Sequence, residues 1–401
     1  MDKLIPLSIP NFEGNERKYV DDAVDKVWVS TGGMYVNLFE KNLAKFLNTE
    51  QICVCQSGTA AIHLSLIEAQ VGHNDVVLVP PLTFIAAVNP VKYQSAIPVF
   101  IDCDDSFCMD PIKLKSFCEK ECSYDGHLLK YKEHIVKAII VVHVFGNIAD
   151  MEAIMDIAAQ YHLTVIEDAT EALGSVYIEG KYKGKYAGTI GDFGAYSFNG
   201  NKIITTGGGG AVTSNDVHAV EHMRFLSTQA KTDPKKYTHD EIGYNYRMTN
   251  LQAALGVAQL EELPEFIKRK QCNYVKYLKA FDNFKYCKLA MFKENISSNK
   301  WFYSLIIDRN HISASIYDII DSLKKKKIET RAIWGLINEQ KPYRYEVSYQ
   351  LEKAFYYAAR VLNIPCSTNI TDDEINYVAS SIQQLLQELA YGRKDTGEIR
   401  A

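Results

Sequence analysis

The chain has 401 residues, 47% hydrophobic and 23% charged, which is the composition of an ordinary globular protein long enough for two or three folding units. A formal net charge of -5 gives no electrostatic reason to bind nucleic acid or an anionic membrane. No apolar run reaches the roughly 18 residues of a membrane span.

The N-terminal MDKLIPLSIPNFEGNE lacks the basic-then-apolar layout of a signal peptide, so a cytoplasmic protein is expected. A helical pattern runs from Asn15 to Val27, is broken at Gly32 and Gly33, and resumes from Val36 to Phe46. From there short apolar runs alternate with helix-length segments: Ile52 to Val54, Val76 to Val79, Ile97 to Ile101, Ile139 to Val144 and Thr164 to Ile166. That alternation predicts an α/β fold with a mostly parallel sheet covered by helices on both faces. Asp110 and Pro111 read as a cap and first-turn proline, and Glu119 to Glu133 as an irregular surface excursion. Nine cysteines, an odd number without framework spacing, argue against a disulfide scaffold. Cys118 and Cys122 lack a second pair to complete a metal site, so no metal is expected.

Thr249 to Gln252 has capping-box spacing and opens an apolar helix that Pro264 should end or bend. Beyond it lies a Lys- and Tyr-rich region with shorter strands and helices. The expected division is a large domain over 1–265 and a smaller α+β domain over 266–401, with the last ten polar residues fraying.

Four features could carry chemistry. QSGTAAIHLSLIEA follows a strand and runs into a helix, so Gly58 and Thr59 fall where free N–H groups and the helix dipole suit a phosphate. An ordinary helix cap is the plainer reading, and His63 within that helix reads as structural. TVIEDATEALGS leaves Glu167, Asp168 and Glu171 at the carboxyl edge of a buried strand, where open α/β sheets bind ligands. Asp168 follows the strand directly and could pair with a protonated ring nitrogen; a solvated acidic loop or a magnesium site is the alternative. Phe84, after Val76 to Val79 and a Pro pair, could stack on a flat ring or pack in the core. In GDFGAYSFNGNKIITTGGGGAV, Lys202 stands between a strand and four glycines that permit close approach, with Ser197 five residues before it. A phosphate cradle, a ring stacker, a carboxylate and a lysine match the needs of pyridoxal 5'-phosphate.

Carried by SGTAAIHLSL, PPLTFIAAVN, VIEDATEALGS, GDFGAYSFNGNKIITTGGGGAV and GYNYRMTNLQAALG, the chain resembles the DegT/DnrJ/EryC1/StrS sugar aminotransferases across nearly its whole length. The resemblance implies the fold type I architecture of pyridoxal-phosphate enzymes. It implies that Lys202 binds the cofactor covalently, Asp168 meets its ring nitrogen and Phe84 stacks on the ring. Gly58, Thr59 and Ser197 would then hold the phosphate. It further implies a homodimer with shared active sites, in which Asn245 reaches the phosphate of the neighbouring subunit's cofactor. Two departures stand out. Asn199, Gly200 and Asn201 precede the lysine where many members have His-Pro-Thr, and Glu171 replaces a frequent Gln near the cofactor's phenolic oxygen. A carboxylate donates only when protonated, so Glu171 should have a raised pKa or touch something else.

NGNKIITTGGGG is similar to the subgroup that aminates nucleotide-linked 4-keto-6-deoxy-hexosamines, with L-glutamate as donor. Substrate contacts are expected from Trp28 to Tyr35 (Thr31 and Tyr35 among them), from Arg247 and from the loop of Arg331 to Trp334. The rival readings are amination of a 3-keto sugar, a non-catalytic protein that uses the cofactor as a sensor, and a nicotinamide-dependent oxidoreductase. Against the last, no G-x-G-x-x-G follows the first strand.

Overall fold

The computed structural model describes residues 3–233 and 235–391, so the tail expected to fray lies outside the described residues. Seven strands form the body of a ten-stranded sheet: β1 (Ile52–Cys55), β2 (Val76–Val79), β3 (Ile97–Ile101), β4 (His134–Val142), β5 (Thr164–Asp168), β6 (Phe193–Ser197) and β7 (Gly210–Ser214). Their spatial order is β1-β7-β6-β5-β4-β2-β3, with Ser348–Tyr349 added parallel to β3. β7 runs antiparallel to both neighbours, while β6, β5, β4, β2 and β3 are parallel. The strands of Val, Ile and Leu are buried on both faces, as continuous apolar runs require. Glu119 to Glu133 is more ordered than expected: Cys122–Tyr124 and Leu129–Tyr131 form a hairpin that extends β4 antiparallel. Its alternation is too short to stand out from a polar loop.

Helix Gly58–Glu68 lies against β6 and β7 and is covered by Val217–Ser227 and Asn89–Tyr93. Being buried nearly all round, it carries no polar stripe; its start is fixed by Ser57, whose Oγ accepts from the N–H of Ala60 at 3.0 Å. The helix opened by the Thr249 capping box does not stop at Pro264. It continues as Asn250–Ala280, because Leu263, Phe266, Lys270, Tyr274 and Tyr277 are all buried along it. Packing over that length outweighs the roughly 3 kcal/mol cost of one internal proline. Its first half packs on Glu16–Asp25 and Met34–Leu47, its second half on Asp372–Tyr391.

The C-terminal lobe has a four-stranded antiparallel sheet, Cys287–Leu289, Tyr303–Ile307, Val361–Ile364 and Arg331–Ala332 in that order. The start of the chain attaches there: Ile5 bridges to Ile328, and Cys366 N–H donates to Leu7 O at 2.7 Å. We propose that the two lobes meet along the long helix near residue 265, with residues 5–9 counted to the C-terminal lobe. No helix among the described residues is long and apolar enough to cross a membrane.

Candidate active site

The carboxyl ends of the parallel strands and the amino end of antiparallel β7 open at one edge of the sheet. A cavity of about 520 Å³ lies there, closed on its far side by the C-terminal lobe. Gly58, Thr59, Phe84, Asp168, Glu171, Ser197 and Lys202 all line it, so the structure brings together the residues that the separate motifs single out. Gly58 is required by closeness: a Cβ on it would meet Thr170 Cγ2 at 2.8 Å and Ser197 Cβ at 3.0 Å. The helix start and Ser197 thus enclose a concave, N–H-rich corner that fits a phosphate. Of the four glycines, Gly210 is the one pressed against backbone, since a Cβ there would lie 2.4 Å from the Ser57 carbonyl carbon and 2.7 Å from Gly58 N. Phe84 remains more than half exposed at the rim and presents a ring without being spent in the core.

Alternation along β5 separates the acids. Glu167 leaves the cavity: it accepts from the N–H groups of Gly188 (2.9 Å), Ile190 (2.6 Å) and Gly191 (2.6 Å) and pairs with His143 Nε2 at 2.7 Å. It is a structural anchor. Asp168 faces inward, accepts from Thr170 N–H at 3.0 Å, and has its pKa raised by burial. Glu171 accepts from Phe145 N–H at 2.8 Å and lies 4.0 Å from Lys202 Nζ. Burial outweighs the pull of that lysine and pushes the Glu171 carboxyl up to about 7. Burial likewise lowers Lys202, against the attraction of Glu171 and Asp168. Of the two outcomes left open for Glu171, the structure shows a carboxyl raised by burial and also a contact to the Phe145 N–H, with Lys202 near it but beyond hydrogen-bond distance.

The assignments to substrate divide. Arg331 lines the cavity from the C-terminal lobe. Arg247 does not: its guanidinium is buried, 2.6 Å from Glu40 Oε1, and donates to Val54 O at 3.2 Å. It closes the interior behind β1. Tyr35 is also withdrawn, donating its hydroxyl to Asp22 at 2.9 Å and lining a separate small cavity with Trp28 and Met34. Asn250 holds that segment by donating to Trp28 O at 2.7 Å and accepting from Tyr35 N–H at 2.9 Å. Thr31 and Asn245 are exposed and line no part of this chain's cavity.

An aromatic wall completes the cavity, and of its residues only Trp334, in the loop of Arg331 to Trp334, is singled out by the sequence. Trp301, Phe302 and Trp334 line the cavity, and Phe145 packs behind them, 4.9 Å from Trp334 between ring centroids. Trp301 stands 4.2 Å from Lys202 Nζ at its ring centroid. No periodicity marks these positions, and only the docking of the C-terminal lobe brings them to the lysine.

An aldehyde needs an amine to anchor it, a pyridine nitrogen needs a carboxylate to keep its proton, and a phosphate needs free N–H groups. Those demands coincide in pyridoxal 5'-phosphate, and the cavity meets all three; fold and site define an enzyme dependent on that cofactor. The model of the DegT/DnrJ/EryC1/StrS aminotransferase family matches residues 10–383, and the chain belongs to that family. It is 34% identical to GDP-perosamine synthase of Escherichia coli O157:H7 over 96% of this chain and 100% of that one. It is 28% identical to the UDP-4-amino-4,6-dideoxy-N-acetyl-beta-L-altrosamine transaminase of Campylobacter jejuni subsp. jejuni serotype O:23/36, over 91% and 93% of the two chains. Among solved structures it superposes on Helicobacter pylori PseC with a TM-score of 0.86, at 23% identity over 96% and 100% of the two chains, a likeness of fold. The protein is a pyridoxal 5'-phosphate-dependent sugar aminotransferase.

Proposed function

We propose that the protein moves an amino group from L-glutamate to C4 of a UDP- or GDP-linked 4-keto-6-deoxy-hexosamine, for the synthesis of cell-surface glycan precursors. The observation that carries the reaction class is Lys202, largely enclosed in one cavity with Asp168, Glu171 and the Gly58–Ser197 corner. Support for C4 comes from the wording around Lys202 and from the Campylobacter relative, whose own name describes a 4-amino-4,6-dideoxy sugar on UDP.

When bound, pyridoxal 5'-phosphate supplies an aldehyde that takes up the amino group and a ring that accepts the electron pair of the donor Cα. The chain's residues do the rest. Gly58, Thr59 and Ser197 bind the phosphate, Phe84 covers the ring, and Asp168 holds the proton on the ring nitrogen. With the cofactor bound, Lys202 Nζ would hold it and then act as the general base that takes the proton from the donor Cα, and as the acid that returns one to the amino-accepting carbon of the sugar. Glu171 stores or releases a proton beside that amine. Trp301, Phe302 and Trp334 exclude water, and Arg331 meets the sugar nucleotide at the mouth.

This reading includes a cytoplasmic homodimer with shared sites. Asn245, exposed and outside its own cavity, is directed to the neighbouring subunit's phosphate, and Thr31 to the neighbouring substrate. An outward-facing apolar patch of Val27, Trp28 and Met34 near Thr31 supports such a contact.

The test is the visible spectrum of the purified protein. A yellow band that bleaches with L-glutamate and returns with a UDP- or GDP-linked 4-keto-6-deoxy-hexosamine is expected, and Lys202→Ala should lose both band and turnover. Normal formation of the amino sugar by that variant would sink the mechanism. Return of the band only with a 3-keto sugar would move the reaction to C3.

A further inference from the structure

Trp301 enters the cavity from the lobe opposite Lys202, and its contacts converge on the lysine-bearing loop. The segment before it is pinned by Asn299, whose Nδ2 donates to the carbonyls of Glu171 and Leu173, both at 3.0 Å. Asn299 Oδ1 in turn accepts from Trp301 N–H at 3.0 Å. At the far end of the side chain, the indole Nε1–H donates to the carbonyl of Asn201 at 2.8 Å. Asn201 is the residue immediately before Lys202, and the Lys202 ammonium lies 4.2 Å from the indole centroid. Phe302 stacks on the same ring with centroids 4.0 Å apart and planes 7° from parallel. A core tryptophan would need only some acceptor for its N–H; here the N–H and the ring serve two consecutive residues of one loop.

That arrangement answers a physical problem. Lysine has a four-carbon stem with free rotation, so an amine released from the cofactor scatters unless something holds it. An error of about 1 Å in a reacting group can cost on the order of a hundredfold in rate. We propose that Trp301 is a positioning residue for Lys202: it fixes the loop through the Asn201 carbonyl and covers the ε-amine, setting where the amine stands and keeping water from it. The inference rests on the reading of Lys202 as the reacting amine. Burial under this wall is also the direction in which the Lys202 pKa moves, toward a free base.

The test uses the full chain freed of cofactor, with Trp301→Leu and Trp301→Phe. One readout is the rate at which added pyridoxal 5'-phosphate produces the visible band, followed across pH; the other is the rate at which L-glutamate bleaches the loaded enzyme. Trp301→Leu should slow both by roughly tenfold to a hundredfold and displace the pH midpoint of uptake. Trp301→Phe, which keeps a ring but no N–H, should fall between it and wild type. A purely structural tryptophan would lower the melting temperature and leave the rate and midpoint of the folded protein alone. Uptake within about twofold of wild type at an unchanged midpoint, in Trp301→Leu or in Trp301→Phe if the first does not fold, overturns the proposal. Lys202→Ala run in parallel separates the two ideas: a normal band in that variant sinks the reading of Lys202 itself.

Discussion

Glu171→Gln should make the cofactor-free protein more stable, and by an amount that depends on pH. In the folded chain the Glu171 carboxyl is pushed from 4.5 up to about 7, a value that already includes the attraction of Lys202. Between those values the folded state holds a proton that the unfolded chain has released. Stability therefore falls as pH rises through this window, by about 3 kcal/mol in all, and the cost is absent below about pH 4.5. Glutamine keeps an acceptor for the Phe145 N–H and removes the buried charge. The variant should match wild type near pH 4.5 and gain up to about 3 kcal/mol by pH 8, roughly 4 °C in melting temperature for a chain of this length. Thermal unfolding of both proteins at about pH 5, 6, 7 and 8 measures the difference; Asp168, whose pKa is raised by burial, contributes in the same sense in both proteins and repels Glu171 only in the wild type. A gap that stays constant across this range would show that Glu171 does not titrate there, and the proton assigned to it would have to be held elsewhere. In the loaded enzyme the same variant should shift the absorption maximum or its pH midpoint; an unchanged spectrum would remove Glu171 from contact with the cofactor.

Two further outcomes concern the frame around the site. Glu40→Ala leaves Arg247 charged and buried without its carboxylate, which should cost about 3 kcal/mol and lower the melting temperature by several degrees, while Glu40→Leu with Arg247→Met should recover most of it; equal stability of the single variant and wild type would refute the buried pair. Gly210→Ala forces a Cβ to within 2.4 Å of the Ser57 carbonyl carbon and must displace the corner that ends at Gly58. Equilibrium dialysis of pyridoxal 5'-phosphate should show affinity weakened by roughly tenfold or more, and wild-type affinity would separate Gly210 from the phosphate corner.

Much of this molecule is legible along the chain because strand ends are local. A buried parallel strand reads as a continuous apolar run, and the residue after it lies at the carboxyl edge whatever the rest of the fold does. Gly58 and Lys202 follow such a run and Asp168 ends one, which places their motifs at one edge of the sheet. The capping box at Thr249 and the Asp110 cap are local in the same way. For Glu171 the resemblance, which puts a frequent glutamine at that position, left two outcomes open, a raised pKa or a contact elsewhere, because a carboxylate donates only when protonated.

What depends on distant parts of the chain could not be read so. Arg247 sits among motif residues, but a partner some two hundred positions away, Glu40, takes its charge into the interior. Tyr35 is withdrawn by Asp22 and Asn250, and Glu167 is turned away from Asp168 by a single step along β5. Pro264 reads as a helix breaker, and only burial along both halves of Asn250–Ala280 shows why the helix passes through it. Trp301 lies in a stretch with no motif, a hundred residues from the carbonyl it holds. By itself the sequence determined the chemistry at the sheet edge, since backbone geometry and apolar runs are short-range. Which side chains face that chemistry, and how dry the lysine is kept, was decided by the docking of the second lobe, because burial and pairing are properties of surfaces that meet only in the folded chain.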